Sequence, residues 1–523
     1  MSRRQREKTS NIMLRSHRSP ALLLVAVLLS LCAAGALVAD PPPEAPPIAI
    51  VPRDGFNLEV SEQITPTYAV VHVASQAHNW FAGTLAQLPT GVPVTLGLSM
   101  AGKGGTAPAD VGKWVGLRPV MTYSDPTRCD TYEWFTRDAQ GRWVSSDPLK
   151  RGNAKYAGTG PVPFQTAIPE AFAAQFLSPD GAYWSPWREV DDTEVLTNIN
   201  VFRMKQTFQA PTATVAMRVP YTYTYLQAFL ARLQAANLLG VYVDELGATP
   251  GGRKLQIIRV EDPQPAGTPE TQRTVLVLAR EHATEPAGSW ALQGMLNLLL
   301  ADSPETRALR RHHTWLILPI MDPDGSANAT FDRLTEMFYC QWEKTPPEVL
   351  AYTRYFADFI AAGHSLDVAV NLHNVEANET PNLMCPFINH GDEETTFAFN
   401  RRCFAELRKA GYQTGEPDRP WNYGFNTFRL YGVLETHYRT LGLAYEINEC
   451  FPDNRLSPAR VAGLGALLLQ QLAAWCASPD GIERHRQILD RLQQFRQQRQ
   501  AYLTEKQRDA KDRNPHELIT LGY

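Results

Sequence analysis

Downstream of Pro220, short apolar runs alternate with stretches of helical character, and this pattern constrains the fold more than any other feature. The runs are rich in leucine, valine and isoleucine, and they lie at 255–260, 274–279, 314–319, 366–372 and 443–447. Strands that are apolar on both faces are typical of parallel sheets covered by helices on each side. We therefore predict an α/β domain at 216–478, with a mixed central sheet flanked by helices.

The sequence on either side of this domain has a different character. Residues 48–215 are rich in aromatic and β-branched residues, are interrupted by Gly, Pro, Asp and Asn, and show no long helical period. This pattern predicts an all-β sandwich domain. Residues 479–523 are strongly polar with apolar residues at helical spacing, which predicts a C-terminal helix laid on the α/β domain or on a partner.

The first 39 residues have the layout of an export signal. Six basic residues precede an apolar run that begins at Ala21 and ends in Ala34-Gly35-Ala36, which fits the small-x-small rule for cleavage. The alternative is an uncleaved anchor, because the run is close to the length that spans a membrane. Residues 40–47 form a proline-rich spacer. We expect an exported protein, periplasmic or extracellular, that contacts a membrane only if the segment is uncleaved.

Charge and cysteine content narrow the function further. The net charge of −4 gives no sign of a nucleic-acid binder. Six cysteines remain after cleavage, an even number that permits three disulfide bridges, but no CxxC pair points to a cysteine zinc site. The sequence leaves the oligomeric state open.

The candidate metal-binding residues are polar residues that follow the predicted strands. His282 and Glu285 follow the run at 274–279, and His373 follows the run at 366–372. In open α/β sheets, sites lie outside the carboxyl ends of the strands. Two histidines and one carboxylate form a zinc set that leaves a coordination position for water, which is the catalytic pattern. A surface salt bridge is the alternative for His282 and Glu285 taken alone.

A general base is also required. Glu446 lies at the end of the apolar run at 443–447, where an unpaired carboxylate is costly to bury. Glu449 competes for the role. We prefer Glu446 because it is closer to the body of the strand, and a structural ion pair is its alternative role.

These segments resemble the zinc metallocarboxypeptidases of the carboxypeptidase A superfamily, and within it the cytosolic carboxypeptidase branch. Ala279-Arg-Glu-His-Ala-Thr-Glu-Pro-Ala-Gly-Ser-Trp resembles the branch's A-R-x-H-P-G-E-x-x-x-S-W, and Asp322-Pro-Asp-Gly resembles its N-P-D-G. Leu372-His373 resembles the segment of the third ligand, and Leu443-Ala-Tyr-Glu-Ile the strand of the general base. The resemblance implies one zinc ion held by His282, Glu285 and His373, attack of a zinc-promoted water on an amide, and proton transfer by Glu446. A preceding β-sandwich is also typical of the branch.

Three departures from the family pattern concern Asp322, His373 and substrate recognition. Asp322 replaces the usual Asn, and His373 is followed by Asn374-Val-Glu instead of H-x-H-S-like text. The D-L-N-R segment, whose Asn-Arg grips the C-terminal carboxylate of the substrate in the family, is missing. Arg333 is the arginine of that window, a candidate either for polarising the scissile carbonyl or for binding the carboxylate. Tyr423 is the candidate for the family's mobile substrate-binding tyrosine, with Tyr431 and Tyr438 as competitors.

Three functional hypotheses follow. The first is an exported zinc metallopeptidase that hydrolyses peptide bonds at the C-terminus of its substrates. The second is a zinc amidohydrolase acting on a cell-wall peptide or an N-acyl amino acid, which the missing Asn-Arg pair motivates. The third is an inactive binding protein.

Overall fold

The computed structural model describes most of the chain between residues 46 and 506. The described ranges are 46–73, 80–99, 114–123, 134–137, 143–145, 187–197, 201–264, 271–301, 303–330, 334, 346–374, 384–387, 393–419, 434–435, 437–449 and 458–506. The described residues from Pro47 onward belong to one compact unit. Arg333, Tyr423, Tyr431 and the predicted export segment lie outside the described residues.

The first part of this unit is built from two β-sheets. The strands run in the order β1-β4-β12-β6-β9-β7-β8 in one sheet and β10-β11-β5-β3-β2 in the other. Their bounds are β1 (Ala49–Val51), β2 (Leu58–Thr65), β3 (Tyr68–Val73), β4 (Ala82–Ala86), β5 (Pro93–Ser99), β6 (Val120–Thr122), β7 (Trp134–Arg137), β8 (Trp143–Ser145), β9 (Trp187–Glu189), β10 (Asp192–Leu196), β11 (Val201–Thr207) and β12 (Ala213–Ala216).

The two sheets share one apolar core. Phe81 comes directly before β4, Phe202 belongs to β11 in the other sheet, and their ring centroids lie 6.2 Å apart. Trp114 packs against both rings, at 5.2 Å and 5.5 Å. Sheets that face each other across such a core form a β-sandwich, so the predicted all-β region is confirmed.

A seven-stranded mixed sheet forms the centre of the α/β region, in the order β13-β14-β16-β15-β17-β19-β18. β16, β15, β17 and β19 are parallel, whereas β13, β14 and β18 pair antiparallel at the two edges. β16, β17 and β19 are buried along their whole length, as their apolar sequences predict. The bounds are β13 (Val241–Ala248), β14 (Lys254–Val260), β15 (Arg273–Ala279), β16 (His313–Leu318), β17 (Val368–Asn374), β18 (Met384–Phe387) and β19 (Leu441–Ile447).

Helices cover both faces of this sheet, which confirms the predicted α/β class. They are α1 (Tyr223–Ala236), α2 (Pro286–Leu299), α3 (Pro304–His312), α4 (Pro323–Asn328), α5 (Pro347–Ala361), α6 (Glu393–Lys409), α7 (Pro458–Cys476) and α8 (Pro479–Lys506). α1, α2, α6 and α7 contribute to one apolar core, and α5 and α8 contribute to a second. Within the described residues no single helix is long and apolar enough to cross a membrane; one bent pair, Arg460–Cys476 with Pro479–Gln498, meets the length and composition requirement.

Helices α2 and α7 approach each other closely because each carries a glycine at the crossing point. A Cβ on Gly294 of α2 would lie 1.8 Å from the carbonyl oxygen of Ala462. A Cβ on Gly465 of α7 would lie 1.9 Å from the carbonyl oxygen of Ala291. α2 begins directly after the Glu285 segment, so this packing fixes the direction in which that segment leaves the sheet.

The β-sandwich and the α/β region are joined by shared packing. Trp80 and Trp187 of the β region belong to the same apolar core as Trp290 of α2. The carboxylate of Asp54 accepts hydrogen bonds from the backbone nitrogen and the hydroxyl of Thr224, at 2.8 Å and 2.9 Å. The boundary between residues 215 and 216 stays a prediction, as do the other domain limits.

Helix α8 packs on the α/β region, which is one of the two positions predicted for the C-terminal segment. Ile488, Leu492 and Phe495 are buried in the core that α5 also lines. The imidazole of His485 lies 2.5 Å from the carboxylate of Asp367, at the start of β17, and both side chains are buried. Residues 507–523 lie outside the described part of the chain.

The even number of remaining cysteines permits three disulfide bridges, but two of the six are unpaired. Cys403 of α6 and Cys476 of α7 are free thiols, both buried in the core between these helices and the sheet. A buried thiol among apolar side chains behaves as a small hydrophobic group, so these two residues serve packing.

Candidate zinc site

The carboxyl ends of the parallel strands β15, β17 and β19 meet at one edge of the sheet, and the predicted ligands lie there. β15 leads into the loop 280–285, which carries His282 and Glu285. β17 carries His373, and β19 carries Glu446 directly opposite it in the register of the two strands. The sheet therefore brings all four residues to the place where open α/β sheets form their sites.

The loop 280–285 is held by a buried arginine. Arg280 adopts a positive φ of 65°, which is rare for a residue with a side chain and persists only where neighbouring structure holds it. Its guanidinium donates to the carbonyl of Tyr221 at 2.8 Å and to the carbonyl of Ala283. Burial lowers the pKa of Arg280 to about 10, and the nearby Glu285 opposes that shift. The loop is thus tied to the segment that enters α1.

His282, Glu285 and His373 turn their donor atoms toward one point. Nδ1 of His282 lies 2.9 Å from Oε1 of Glu285, Nδ1 of His373 lies 3.1 Å from Oε2 of Glu285, and the two Nδ1 atoms are 3.2 Å apart. Donors at about 2.0–2.1 Å from a tetrahedral zinc ion lie about 3.3 Å from one another. The three residues therefore match a zinc set in donor type, in number and nearly in spacing.

The charges around His373 favour a cation at this point. Burial lowers the pKa of the imidazole, but Glu281 and Glu285, with a contribution from Glu446, outweigh burial and raise it to about 10. Burial also raises the pKa of Glu285, and the two histidines lower it well below its usual range. The buried carboxylates beside this imidazole therefore stabilise positive charge at this position. A divalent metal ion meets the same electrostatic demand.

Glu446 faces this ligand set from the neighbouring strand. Register partners on adjacent strands project to the same face of a sheet, and His373 and Glu446 are such partners. The residue is only 6% exposed, so its side chain is largely removed from bulk water. This is the arrangement expected of a base beside a metal ion.

Glu449, the competitor for the same role, has a different environment. Its Oε1 lies 3.4 Å from Nε of Arg218, and its Oε2 accepts from Nδ2 of Asn374 at 2.7 Å. All three side chains are buried. A carboxylate engaged in this way is part of the support of the site, which favours Glu446 as the base.

Asn374, where the sequence departs from the family pattern after His373, connects three parts of the site. Its backbone nitrogen donates to Oε2 of Glu285 at 3.0 Å. Its side-chain oxygen accepts from the first-turn nitrogen of Ala287 at 2.8 Å, and its Nδ2 donates to the carbonyl of Ile447 at 3.0 Å. Sequence reasoning missed this role, although the position directly after a ligand was a signal.

Asp322, which replaces the usual Asn of the family pattern, supports the turn that begins α4. Its carboxylate caps α4 by accepting from the backbone nitrogen of Gly325 at 2.7 Å, which needs only an oxygen acceptor. The next acid, Asp324, accepts from Thr249 at 2.7 Å and from Arg253 at 2.8 Å. The Asp-Pro-Asp-Gly segment is therefore a structural support of the site.

The predicted substrate-binding residues, Arg333 and Tyr423, lie outside the described residues, so their roles stay predictions. Among the described arginines, the two buried beside the ligands are already engaged. Arg218 pairs with Glu449, and Arg280 donates to backbone carbonyls. Tyr438, a competitor of Tyr423, packs against Phe495 of α8 in the core on the α5 side.

Residues 226–344 match the family model described as zinc carboxypeptidase. Mouse (Mus musculus) cytosolic carboxypeptidase 6 is 30% identical over 106 residues, which is 20% of this chain and 20% of that protein. Zebrafish (Danio rerio) cytosolic carboxypeptidase 2 is 24% identical over 310 residues, 51% of this chain and 42% of that protein. The chain thus matches less than half the length of these relatives.

The fold is similar to solved metallo-carboxypeptidase structures. A putative carboxypeptidase A from Shewanella denitrificans OS-217 aligns with a TM-score of 0.57 and 18% identity, over 82% of this chain and 99% of that one. A metallo-carboxypeptidase from Burkholderia cenocepacia aligns with a TM-score of 0.56 and 18% identity, over 82% of this chain and 98% of that one. At such identities the likeness concerns the fold. The matching family model identifies residues 226–344 as part of a zinc carboxypeptidase domain.

Proposed function

We propose that this protein is a zinc-dependent metallopeptidase that hydrolyses peptide bonds at the C-terminus of its substrates. The observation that carries the proposal is the convergence of His282, Glu285 and His373, with Glu446 beside them on the next strand. Two imidazoles and one carboxylate leave a coordination position for water, the pattern of catalytic zinc.

Each residue has a separate task in this proposal. His282, Glu285 and His373 would hold one zinc ion, which would supply a Lewis acid to activate water and polarise a carbonyl oxygen. Glu446 takes the proton from the attacking water and delivers it to the leaving amine. Glu285 is supported by the backbone of Asn374, so its carboxylate keeps its direction when the substrate enters.

Recognition of a free C-terminus requires a group that binds the terminal carboxylate of the substrate. Arg333 is the candidate for binding the terminal carboxylate, because a guanidinium pairs with a carboxylate through two parallel hydrogen bonds. A charge-assisted hydrogen bond contributes about 1.5–3 kcal/mol. Arg218 and Arg280, the buried arginines beside the ligands, already have other partners.

The zinc-loaded protein is expected to cleave a peptide with a free C-terminus about 10- to 150-fold faster than the same peptide with an amidated C-terminus. This ratio is the kinetic equivalent of one charge-assisted contact. The measurement is kcat/KM on matched peptide pairs, with apo protein as the control. Equal cleavage of both peptides contradicts the terminal specificity.

A zinc amidohydrolase is the second candidate, favoured by the missing Asn-Arg pair and by the engagement of both buried arginines beside the site. In that case the substrate is a cell-wall peptide or an N-acyl amino acid, and the task of Glu446 is unchanged. Cleavage of these amides without cleavage of linear peptides decides for this candidate. An inactive binding protein is the outcome if the zinc-loaded protein cleaves none of them.

We also propose that the protein acts outside the cytoplasm after removal of its N-terminal segment. The basic residues, the apolar run and the small residues Ala34 and Ala36 support this proposal. The mature protein is expected to begin near residue 37, as read by N-terminal sequencing after expression of the full chain. Ala36→Trp is expected to block processing, because the cleavage site accepts small residues. Retention of Met1 in a cytoplasmic product contradicts the proposal.

A further inference from the structure

Glu281 is a buried carboxylate that the reaction outlined above does not use. It lies between Arg280 and the ligand His282 in the loop after β15, and only 2% of it is exposed. Removing a charged carboxylate from water costs free energy, so buried carboxylates are normally paired with a hydrogen-bond donor or a positive charge. Glu281 directly precedes the ligand His282 in the chain, and its side chain is turned away from solvent.

Its partners are two residues of β17. Nδ2 of Asn371 donates to Oε2 of Glu281 at 2.5 Å, and the same oxygen lies 3.3 Å from Nε2 of His373. Asn371 and His373 are two residues apart on one strand, so their side chains project to the same face. Glu281 therefore reaches from the loop of the first two ligands to the strand of the third.

The two nitrogens of His373 face different groups. Nδ1 faces the ligand set, 3.1 Å from Oε2 of Glu285 and 3.2 Å from Nδ1 of His282. Nε2 faces Glu281. A neutral imidazole carries one proton, and only the nitrogen without it can bind a metal ion. A carboxylate at Nε2 draws the proton to that side and leaves the lone pair of Nδ1 directed at the ligand set.

We propose that Glu281 is a positioning residue for the metal site, which fixes the tautomer and the ring orientation of His373 so that Nδ1 binds zinc. This inference rests on the zinc site of the proposed function and adds a carboxylate–histidine–metal arrangement to it. Such outer carboxylates also raise the basicity of the ligand, and their loss typically weakens metal binding about 10- to 100-fold. Asn371 holds the carboxylate in place for this task.

The test is the zinc affinity of Glu281→Gln and Glu281→Ala, measured by competition with a chelator on folded protein. We expect zinc binding about 10-fold weaker for Glu281→Gln, which keeps the shape and loses the charge, and up to about 100-fold weaker for Glu281→Ala. Cobalt-loaded Glu281→Gln should show an altered visible absorption band, because the ligand geometry changes. A merely structural role would leave the band of the folded protein unmoved.

Asp367→Asn is the matched control. Asp367 is also a buried carboxylate beside a histidine, His485, and it lies directly before β17, the strand that carries His373. The control should bind zinc within about twofold of the unchanged protein. Zinc affinities of both Glu281 variants within about twofold of the unchanged protein overturn the inference, as does an equal loss in Asp367→Asn.

A second variant keeps the test decisive if Glu281→Ala does not fold. Asn371→Ala keeps the Glu281 carboxylate and removes the amide that donates a hydrogen bond to it, so we expect a smaller loss of zinc affinity. If neither Asn371→Ala nor Glu281→Gln loses zinc affinity, the inference is overturned. The proposed function is tested separately, by peptide cleavage. Zinc-loaded protein that cleaves no amide contradicts the function and leaves the effect of Glu281 on zinc affinity intact.

Discussion

Glu446→Gln is expected to lower kcat for peptide hydrolysis by about 10²–10⁴-fold while the protein keeps its zinc. A positioned general acid–base group typically contributes this factor, which corresponds to about 2.7–5.4 kcal/mol of barrier. Glutamine keeps the volume of the side chain and cannot accept the proton from water. Because Glu446 lies beside the ligand set and is not one of its three members, the zinc content should remain close to one ion per chain.

The measurement is steady-state hydrolysis together with metal analysis of the same sample. Glu449→Gln is the matched control, since Glu449 is the other buried glutamate at this end of β19. Its carboxylate is occupied by Arg218 and Asn374, so the variant should lose stability while its folded fraction retains activity to within about tenfold. If Glu449→Gln abolishes turnover and Glu446→Gln does not, Glu449 is the general base and the assignment of Glu446 is wrong.

The central strands could be predicted because burial on both faces leaves a clear mark in the sequence. β15, β16 and β19 are nearly continuous apolar runs, and each of them was expected. The edge strands β13 and β18 were not predicted, because their sequences lack a continuous apolar run. β13 is half exposed along most of its length and carries Asp244 and Glu245, and β18 has only four residues and contains a proline.

The candidate ligands could also be predicted from the sequence, whereas the contacts that support them could not. His282, Glu285 and His373 could be proposed because each follows an apolar strand, and strand ends in such sheets meet at one edge. The supporting contacts depend on which side chains meet across the sheet. Asn371 and Glu281 lie 90 residues apart in the chain, and Asn374 and Glu449 lie 75 apart. No local pattern encodes such pairs, although an acid directly before a ligand histidine was a usable sign for Glu281.

The other large effect is expected from loss of a ligand. Loss of an outer hydrogen-bond partner weakens metal binding about 10- to 100-fold, and His373→Ala should weaken zinc binding by more than that. Peptide hydrolysis should be lost together with the zinc ion. Two donors remain in the variant, fewer than the three protein ligands typical of catalytic zinc. The loss also leaves Glu281 and Glu285 facing each other without the imidazole between them, so the buried site becomes less stable as well as less able to bind a cation.

Thermal unfolding with and without added zinc separates these two effects. A ligand that binds only the folded state stabilises it by about 2.7 kcal/mol at 100 times its dissociation constant, so zinc should raise the Tm of the unchanged protein. The same zinc concentration should leave the Tm of His373→Ala unchanged. His312→Ala, which alters an exposed histidine at the end of α3, should retain both the zinc-dependent rise and peptide hydrolysis. A His373→Ala protein that still gains Tm with zinc and still cleaves peptides would place the metal site elsewhere in the molecule.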